Sequence, residues 1–218
     1  MVRIGGLALG DVASGPHPRA VLARLREVEC PSVMGNADAE LLAPPTSVAD
    51  EDARRFAEIA GWCAAQLSPA DLNALRGFPP TLELSLGDSG TMLCCHGSPR
   101  AFDEAIRPTT PDDDLDAMLA GALATVVAAG HTHVQGVRRH RDKLLLNPGS
   151  VGLPFDPVPP ASPDRNPPWA EYAVLTAGPA GLSLDLRRVP FDAERFVAET
   201  LASGMPHAAW YTADWRRR

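Results

Sequence analysis

No apolar run in the 218 residues approaches membrane-spanning length. The start has no basic region followed by a long apolar segment, so no secretory signal is expected and a cytoplasmic location is. Positive charge is not in excess: 20 Lys and Arg stand against 27 Asp and Glu, a formal net charge of −7, with no basic stripe. A dedicated nucleic-acid surface and a membrane partner are therefore not expected. Cysteine is sparse. Cys30, Cys63, Cys94 and Cys95 show neither disulfide-scaffold spacing nor a Cys-x-x-Cys pair, so reduced, buried thiols are expected. Internal repeats are absent as well. One domain over residues 1–218 is expected, with a proline-rich loop at 156–168 and an aromatic, basic tail at 205–218.

What the chain does contain is a run from Thr125 to His133, Thr-Val-Val-Ala-Ala-Gly-His-Thr-His. Its apolar part reads as a buried strand, and Gly130 as the point where the backbone leaves the sheet. If the backbone stays extended past Gly130, His131 and His133 share a face and aim at one point. A lone buried histidine is ordinarily structural. Two at this spacing after a strand-ending glycine are equally well explained by a metal ion.

The same grammar recurs. Short apolar runs end in Gly10-Asp11, in Gly35-Asn36, in His96-Gly97 and in Asn147-Pro-Gly-Ser. In open α/β sheets ligands bind beyond the carboxyl ends of the strands, so side chains far apart in sequence can meet there. A set of Asp, Asn and His suits zinc, manganese, iron or nickel better than calcium, which takes oxygen ligands. Asn147 is a further candidate for substrate contact. Arg100, just after His96-Gly97, could clamp a phosphate or be an ordinary solvated arginine.

In order, Gly10-Asp11, Gly35-Asn36, His96-Gly97 and Gly130-His131-Thr132-His133 resemble the calcineurin-like metallophosphoesterases. Asn147 to Pro154 resembles the small YfcE-type phosphodiesterase branch. The resemblance runs from Gly10 to about Pro190. It implies an α/β fold of two mixed β-sheets packed face to face with helices on the outer faces. It also implies hydrolysis of a phosphoester, more specifically a phosphodiester, by a metal-bound hydroxide. Two divalent ions are implied: Asp11 bridges them, Asn36, His96 and His131 hold one, and His133 belongs to the other. Asp11, His96 and His131 would be catalytic, and Asn36, Arg100 and Asn147 would meet a small phosphoester substrate.

Two departures stand out. Relatives carry an Asp-x-His segment, on a strand followed by a helix, ahead of the Gly-Asp strand; no Asp-x-His precedes Gly10 here. Either the reading frame starts upstream or one ion is lost, which leaves a single complete site. Many relatives also have a histidine where this chain has Ala37, and alanine cannot act as a general acid. These departures carry the alternative reading, a catalytically impaired scaffold of this fold that binds a protein partner, as a retromer subunit does. The sequence assigns no oligomeric state.

Among the remaining elements, Ile4–Leu9 is expected as the first strand. A helix after Pro18 should have Val21, Leu22, Leu25 and Val28 on one face. Helices over 48–67 and from Ser68 to Gly77 should pack on the sheet. Hairpins are expected at 81–95, 134–146 and 171–189, with His140 exposed at a turn. The acidic run Asp112–Asp114, with Asp116, reads as helix capping.

Overall fold

The computed structural model describes residues 5–45, 47–155 and 166–215. Residues 156–165 of the proline-rich stretch, the first residue of the expected N-terminal strand and the last three of the tail lie outside the described residues.

The central sheet forms where short apolar runs alternate with glycine-rich turns. Strand β1 (Thr81–Ser85) and β2 (Thr91–Cys95) make the expected antiparallel hairpin. Strand β3 (Val126–Ala129) is buried at every position and lies parallel to β2. Strands β4 (Gly136–His140) and β5 (Lys143–Asn147) form the next hairpin, and β5 runs parallel to β3. The order β1-β2-β3-β5-β4 is a mixed five-stranded sheet. Its parallel centre places the carboxyl ends of β2 and β3 side by side, with His96 and Gly130 just beyond them.

The second sheet is a two-stranded antiparallel ribbon of β6 (Trp169–Gly178) and β7 (Gly181–Pro190), not a mixed sheet. A two-residue turn joins the strands, and so short a link allows only antiparallel pairing. The N-terminal run gives one isolated parallel bridge, Ala8 to Ser32, in place of a full strand. The bridge and the β6–β7 ribbon still pack on the same face of the central sheet. Leu7, Leu9, Ala173 and Leu184 surround Cys94, Ala128 and Leu146. Cys95 points the other way, into a cluster with Leu115 and Leu119 of the segment around helix α5 (Asp112–Met118). Cys63, Cys94 and Cys95 are buried free thiols, and Cys30 is half-buried.

The remaining helices build a core of their own. Helices α1 (Pro18–Glu27), α2 (Asn36–Leu42), α3 (Glu51–Gln66) and α4 (Pro69–Arg76) enclose Leu22, Leu41, Ile59, Cys63 and Leu75. Ile59 and Leu75 are fully buried, each contributing ~1.5–3 kcal/mol of transfer free energy. The helical pair α3–α4 thus packs on α1 and α2 instead of directly on the sheet. Of the apolar face expected on α1, only Leu22 is buried, while Val21 and Val28 are exposed. After helix α6 (Ala193–Ala202), the tail returns to this core through Met205, Ala208 of helix α7 (Ala208–Tyr211), and Tyr211. Trp62 also packs against it.

His140 is buried, against the expectation for a turn. Its Nε2 lies 2.7 Å from Asp116 Oδ1 and its Nδ1 3.4 Å from Asp112 Oδ1. The acidic start of α5 therefore also clamps the β4–β5 hairpin, where Arg138 and Arg141 pair with the same two aspartates. No helix among the described residues is long and apolar enough to cross a membrane.

Candidate functional site

The site begins with a tight turn at Gly10-Asp11. Gly10 has φ +88°, and a Cβ there would lie 2.7 Å from His96 Nδ1 and 2.8 Å from the Gly35 backbone. A Cβ on Gly35 would lie 2.1 Å from Asp11 Oδ1. Only two glycines let these segments approach so closely. Asp11 itself takes φ 57°, a left-handed conformation unusual for a non-glycine residue.

Asp38 holds that conformation. It is fully buried at the third position of α2. Its Oδ2 accepts from Asp11 N (2.7 Å) and Gly35 N (3.3 Å), and its Oδ1 from Val12 N (3.0 Å) and Ala13 N (3.2 Å). Burial, and next the charge of Asp11, raise its carboxyl to about 6. In the sequence Asp38 is the acid of the segment Gly35-Asn36-Ala37-Asp38, where relatives carry Asp or Glu, but that segment assigns it no role. Its signal is position: an acid at the start of a helix, where free backbone N–H groups need acceptors.

Asp11, Asn36, His96 and His131 converge. His96 Nε2 lies 3.1 Å from Asp11 Oδ2 and 3.0 Å from Asn36 Oδ1. His131 Nδ1 lies 3.0 Å from the same Asn36 oxygen, and the two imidazole rings are 5.2 Å apart. Ala37 N donates to Asp11 Oδ1 at 2.8 Å. Burial opposes charge on Asp11 and His96 alike. Their mutual hydrogen bond nevertheless holds the Asp11 carboxyl below its ordinary value and the His96 imidazole above its own.

His133 stands beside this set. Its Nδ1 donates to Leu153 O at 2.8 Å, and its ring stacks on Phe155 with centroids 5.1 Å apart. Burial lowers its proton affinity, while the Asp11 charge acts to raise it. His131 is lowered by burial and then by the charge of His96. The two histidines do not arrive by extended geometry. His131 and His133 have φ 61° and 56°, so the chain coils past Gly130 instead of continuing β3.

Asn147 holds that coil and is spent in doing so. Its Nδ2 donates to Gly130 O (2.7 Å) and Thr132 Oγ1 (2.9 Å), and its Oδ1 accepts from Gly149 N (2.9 Å). It is a buried tie for the histidine loop, with both amide hydrogens taken by Gly130 and Thr132. Arg100 is likewise committed. It pairs with Glu104, four residues on, at 2.5 Å and donates to Ala117 O at 3.0 Å. Arg107, which no sequence motif marks, is exposed, and its guanidinium makes no hydrogen bond or ion pair among the described residues. Its charge acts on His131.

The donor set can be tested for a cation by its own chemistry. His96 Nδ1 lies 2.5 Å from Leu9 O and must therefore carry a proton. That leaves a lone pair on Nε2 in the neutral ring, facing a carboxylate oxygen and an amide oxygen. Three acceptors then share one point, which either a second proton on His96 or a cation resolves. A backbone carbonyl that fixes the far nitrogen of a ligating imidazole is the usual support for a metal-binding histidine. Among the described residues, no three His, Cys, Asp or Glu side chains stand together as a ready cation cage. The convergent donors include the amide of Asn36, which links the two imidazoles. The residues fit one divalent ion held by Asp11, Asn36, His96 and His131. Toward another, the described chain presents Asp11 and His133.

No curated protein matches the chain. Solved structures do share its fold. A metallophosphoesterase from Sphaerobacter thermophilus is 22% identical with a TM-score of 0.71, over 97% of this chain and 89% of that one. A hypothetical protein from Pyrococcus horikoshii OT3 is 16% identical with a TM-score of 0.71, over 94% of this chain and 82% of that one. The family model described as the calcineurin-like phosphoesterase superfamily domain matches residues 7–163, a span that includes Asp11, Asn36, His96 and the His131–His133 loop. The chain belongs to the calcineurin-like phosphoesterase superfamily.

Proposed function

We propose that this chain is a metal-dependent phosphodiesterase whose centre is Asp11, Asn36, His96 and His131. The observation that carries the reading is the convergence on His96 Nε2 of the Asp11 and Asn36 oxygens at 3.1 and 3.0 Å, with Nδ1 already spent on Leu9. A divalent ion there, manganese, iron, zinc or nickel by the donor chemistry, supplies Lewis acidity and a water-derived nucleophile near neutral pH.

The chain's own groups do the rest. Asp11 bears the negative charge that draws the ion, and Ala37 N and the Asp38-held turn fix where that charge sits. Burial lowers the proton affinity of His131 and His133, which favours the lone-pair-bearing form of the ring. Arg107, whose guanidinium has no partner among the described residues and whose charge acts on His131, replaces Arg100 as the side chain that meets phosphoryl oxygens. Ala37 offers no proton to a leaving group, so the leaving group departs with its negative charge. Substrates with acidic leaving alcohols are therefore expected to react fastest.

The test is metal analysis of the purified chain, followed by hydrolysis of aryl phosphodiesters and monoesters with and without Mn²⁺. The expected result is one tightly held ion per chain, Mn²⁺-dependent cleavage that favours the diester, and rates that fall steeply as the leaving phenol becomes less acidic. Folded protein that takes up no Mn²⁺ and cleaves neither ester would overturn the reading. That result would favour a phosphoesterase-fold scaffold for a protein partner.

A further inference from the structure

Strand β7 is the edge of its sheet. It pairs with β6 and, among the described residues, with no other strand. Every position of β7 but Leu184 is exposed, Leu182, Leu186 and Val189 included. So long an edge is a template for another strand, and proteins ordinarily blunt it with a bulge or an internal proline. The β6–β7 register runs without a bulge, and the proline of β7 is its last residue.

The ladder fixes which backbone groups of β7 are free. Gly178 and Gly181 close a two-residue hairpin turn and are hydrogen-bonded to each other, and such pairs alternate along an antiparallel ladder. Tyr172 and Arg187 are therefore a hydrogen-bonded pair as well. Gln135 agrees with this phase. Its Nε2 donates at 3.3 Å to both Tyr172 O and Arg187 O, a reach that requires both carbonyls to point into the ladder. The N–H and C=O groups of Leu182, Leu184, Leu186 and Arg188 consequently point away from β6, to the open edge.

We infer that this edge is the contact between two copies of the chain, β7 against β7 and antiparallel, with Leu186 on the two-fold axis. In that register the outward backbone groups of Leu186 meet those of the partner's Leu186, and those of Leu184 meet the partner's Arg188. Asp185 then lies directly opposite the partner's Arg187, and Arg187 opposite the partner's Asp185. Both are non-hydrogen-bonded positions, where facing side chains are closest. A two-fold contact repeats the ion pair on each side of the axis. Within one chain the same two residues pair at 3.2 Å, half-exposed to water, so an exchange of partners costs little. Other registers lose the match. An axis on Asp185 sets aspartate against aspartate, an axis on Arg187 or Arg188 sets arginine against arginine, and an axis on Leu184 leaves Asp185 facing the partner's Ser183. Neither Asp185 nor Arg187 belongs to the cluster around His96, so the inference stands apart from the phosphodiesterase reading.

The test is sedimentation equilibrium of the full chain over rising protein concentration. Wild type is expected to approach twice the chain mass. Asp185→Arg sets arginine against the partner's Arg187, and Arg187→Asp sets aspartate against the partner's Asp185. Each variant alone should stay monomeric. Both side chains are exposed, so each should keep the wild-type circular dichroism. An equimolar mixture of the two should restore a dimer, because an edge with two arginines then meets an edge with two aspartates. The double exchange, Asp185→Arg with Arg187→Asp, should associate as wild type does. Wild type that stays monomeric at every concentration overturns the inference and leaves the edge to a different partner. A dimer that survives in both single variants, or a mixture of them that stays monomeric, overturns it equally.

Discussion

Two helices of this protein begin with the same device and end with opposite electrostatics. Helix α2 has Asp38 at its third position, accepting from Gly35 N, and α4 has Asp71 at its third position, accepting from Ser68 N at 3.0 Å. Asp71 also accepts from Ser68 Oγ at 2.6 Å and pairs with Arg26 at 2.8 Å; these bonds, the serine first, hold its carboxyl down at about 2. Asp38 pairs with no arginine among the described residues; its partners are backbone N–H groups. Burial and the neighbouring Asp11 push it up to about 6. The α4 cap is complete in itself. The α2 cap sits beside a second carboxylate, Asp11, which among the described residues pairs with His96 and also feels the charge of His133. A cluster left short of positive charge at strand and helix ends is what a cation-binding site requires.

Removing each cap is the most direct way to break the comparison. Asp38→Ala leaves the N–H groups of Asp11, Val12, Ala13 and Gly35 without their acceptor, at ~1–3 kcal/mol for each that stays buried. Of the substitutions at the two caps it should give the largest drop in melting temperature, and it should abolish Mn²⁺ binding, read by calorimetry. Normal Mn²⁺ affinity in a folded Asp38→Ala protein would show that the Asp11 turn does not depend on this cap.

Gly35→Ala tests closeness without touching charge. The new Cβ would fall 2.1 Å from Asp11 Oδ1, so the carboxylate or the turn must move. Overpacking of this kind costs typically ~1–3 kcal/mol. Metal affinity is expected to fall further than stability does, and the paired measurement is Mn²⁺ titration beside thermal melting. An equally crowded substitution cannot be made at the α4 cap, where Ser68 already carries a side chain.

Much of this is legible without coordinates. Glycine-punctuated apolar runs ending in Asp11, Asn36, His96 and His131 specify buried strand-like segments whose ends can meet, because strand ends are marked by short-range grammar. The β6–β7 and β1–β2 hairpins are readable for the same reason. What stays hidden is tertiary. No local pattern tells that the backbone will coil at His131 and His133, since left-handed conformations there depend on Asn147, sixteen residues beyond His131. Arg100 reads either as a phosphate clamp or as an ordinary solvated arginine, and only the fold shows Glu104 and the Ala117 carbonyl as its partners. His140 looks exposed because it sits at a turn, and only the packing of α5 shows the two aspartates that enclose it. Asp38 is legible only as the acid that ends the Gly35–Asp38 segment; its role stays hidden because what it binds is backbone N–H, which leaves no mark in the sequence.

The two caps should also answer to pH in opposite senses. Asp38 has a folded value of about 6, above its ordinary 3.8, so the native state binds more protons than the unfolded chain between those values. Its contribution is therefore largest at low pH and is lost as pH rises through about 6. Asp71 is lowered from 3.8 to about 2, so its contribution is present above about pH 4 and is lost as pH falls toward 2. Metal-free protein is expected to gain stability from Asp38 between pH 7 and 5, and Asp38→Asn should flatten that slope in chemical denaturation. Saturating Mn²⁺ should flatten it too, since a nearby cation favours the ionised carboxyl. A slope unchanged in Asp38→Asn would place its origin elsewhere.

The smallest effect belongs to Asp71→Asn, and its smallness is informative. The asparagine side chain keeps an oxygen for Ser68 but gives up the charge that meets Arg26, whose guanidinium is half-exposed and solvated. The loss should therefore be about 1 kcal/mol or less at pH 7, the scale of a weakened helix cap. It should vanish below pH 2, where the native carboxyl is protonated as well. Mn²⁺ affinity and diester cleavage should not change, because α4 contributes no donor to the site. If Asp71→Asn did weaken metal binding, the helical core would be transmitting strain from α4 through α2 to Asn36. The two caps would then be parts of one coupled unit instead of two separate uses of the same device.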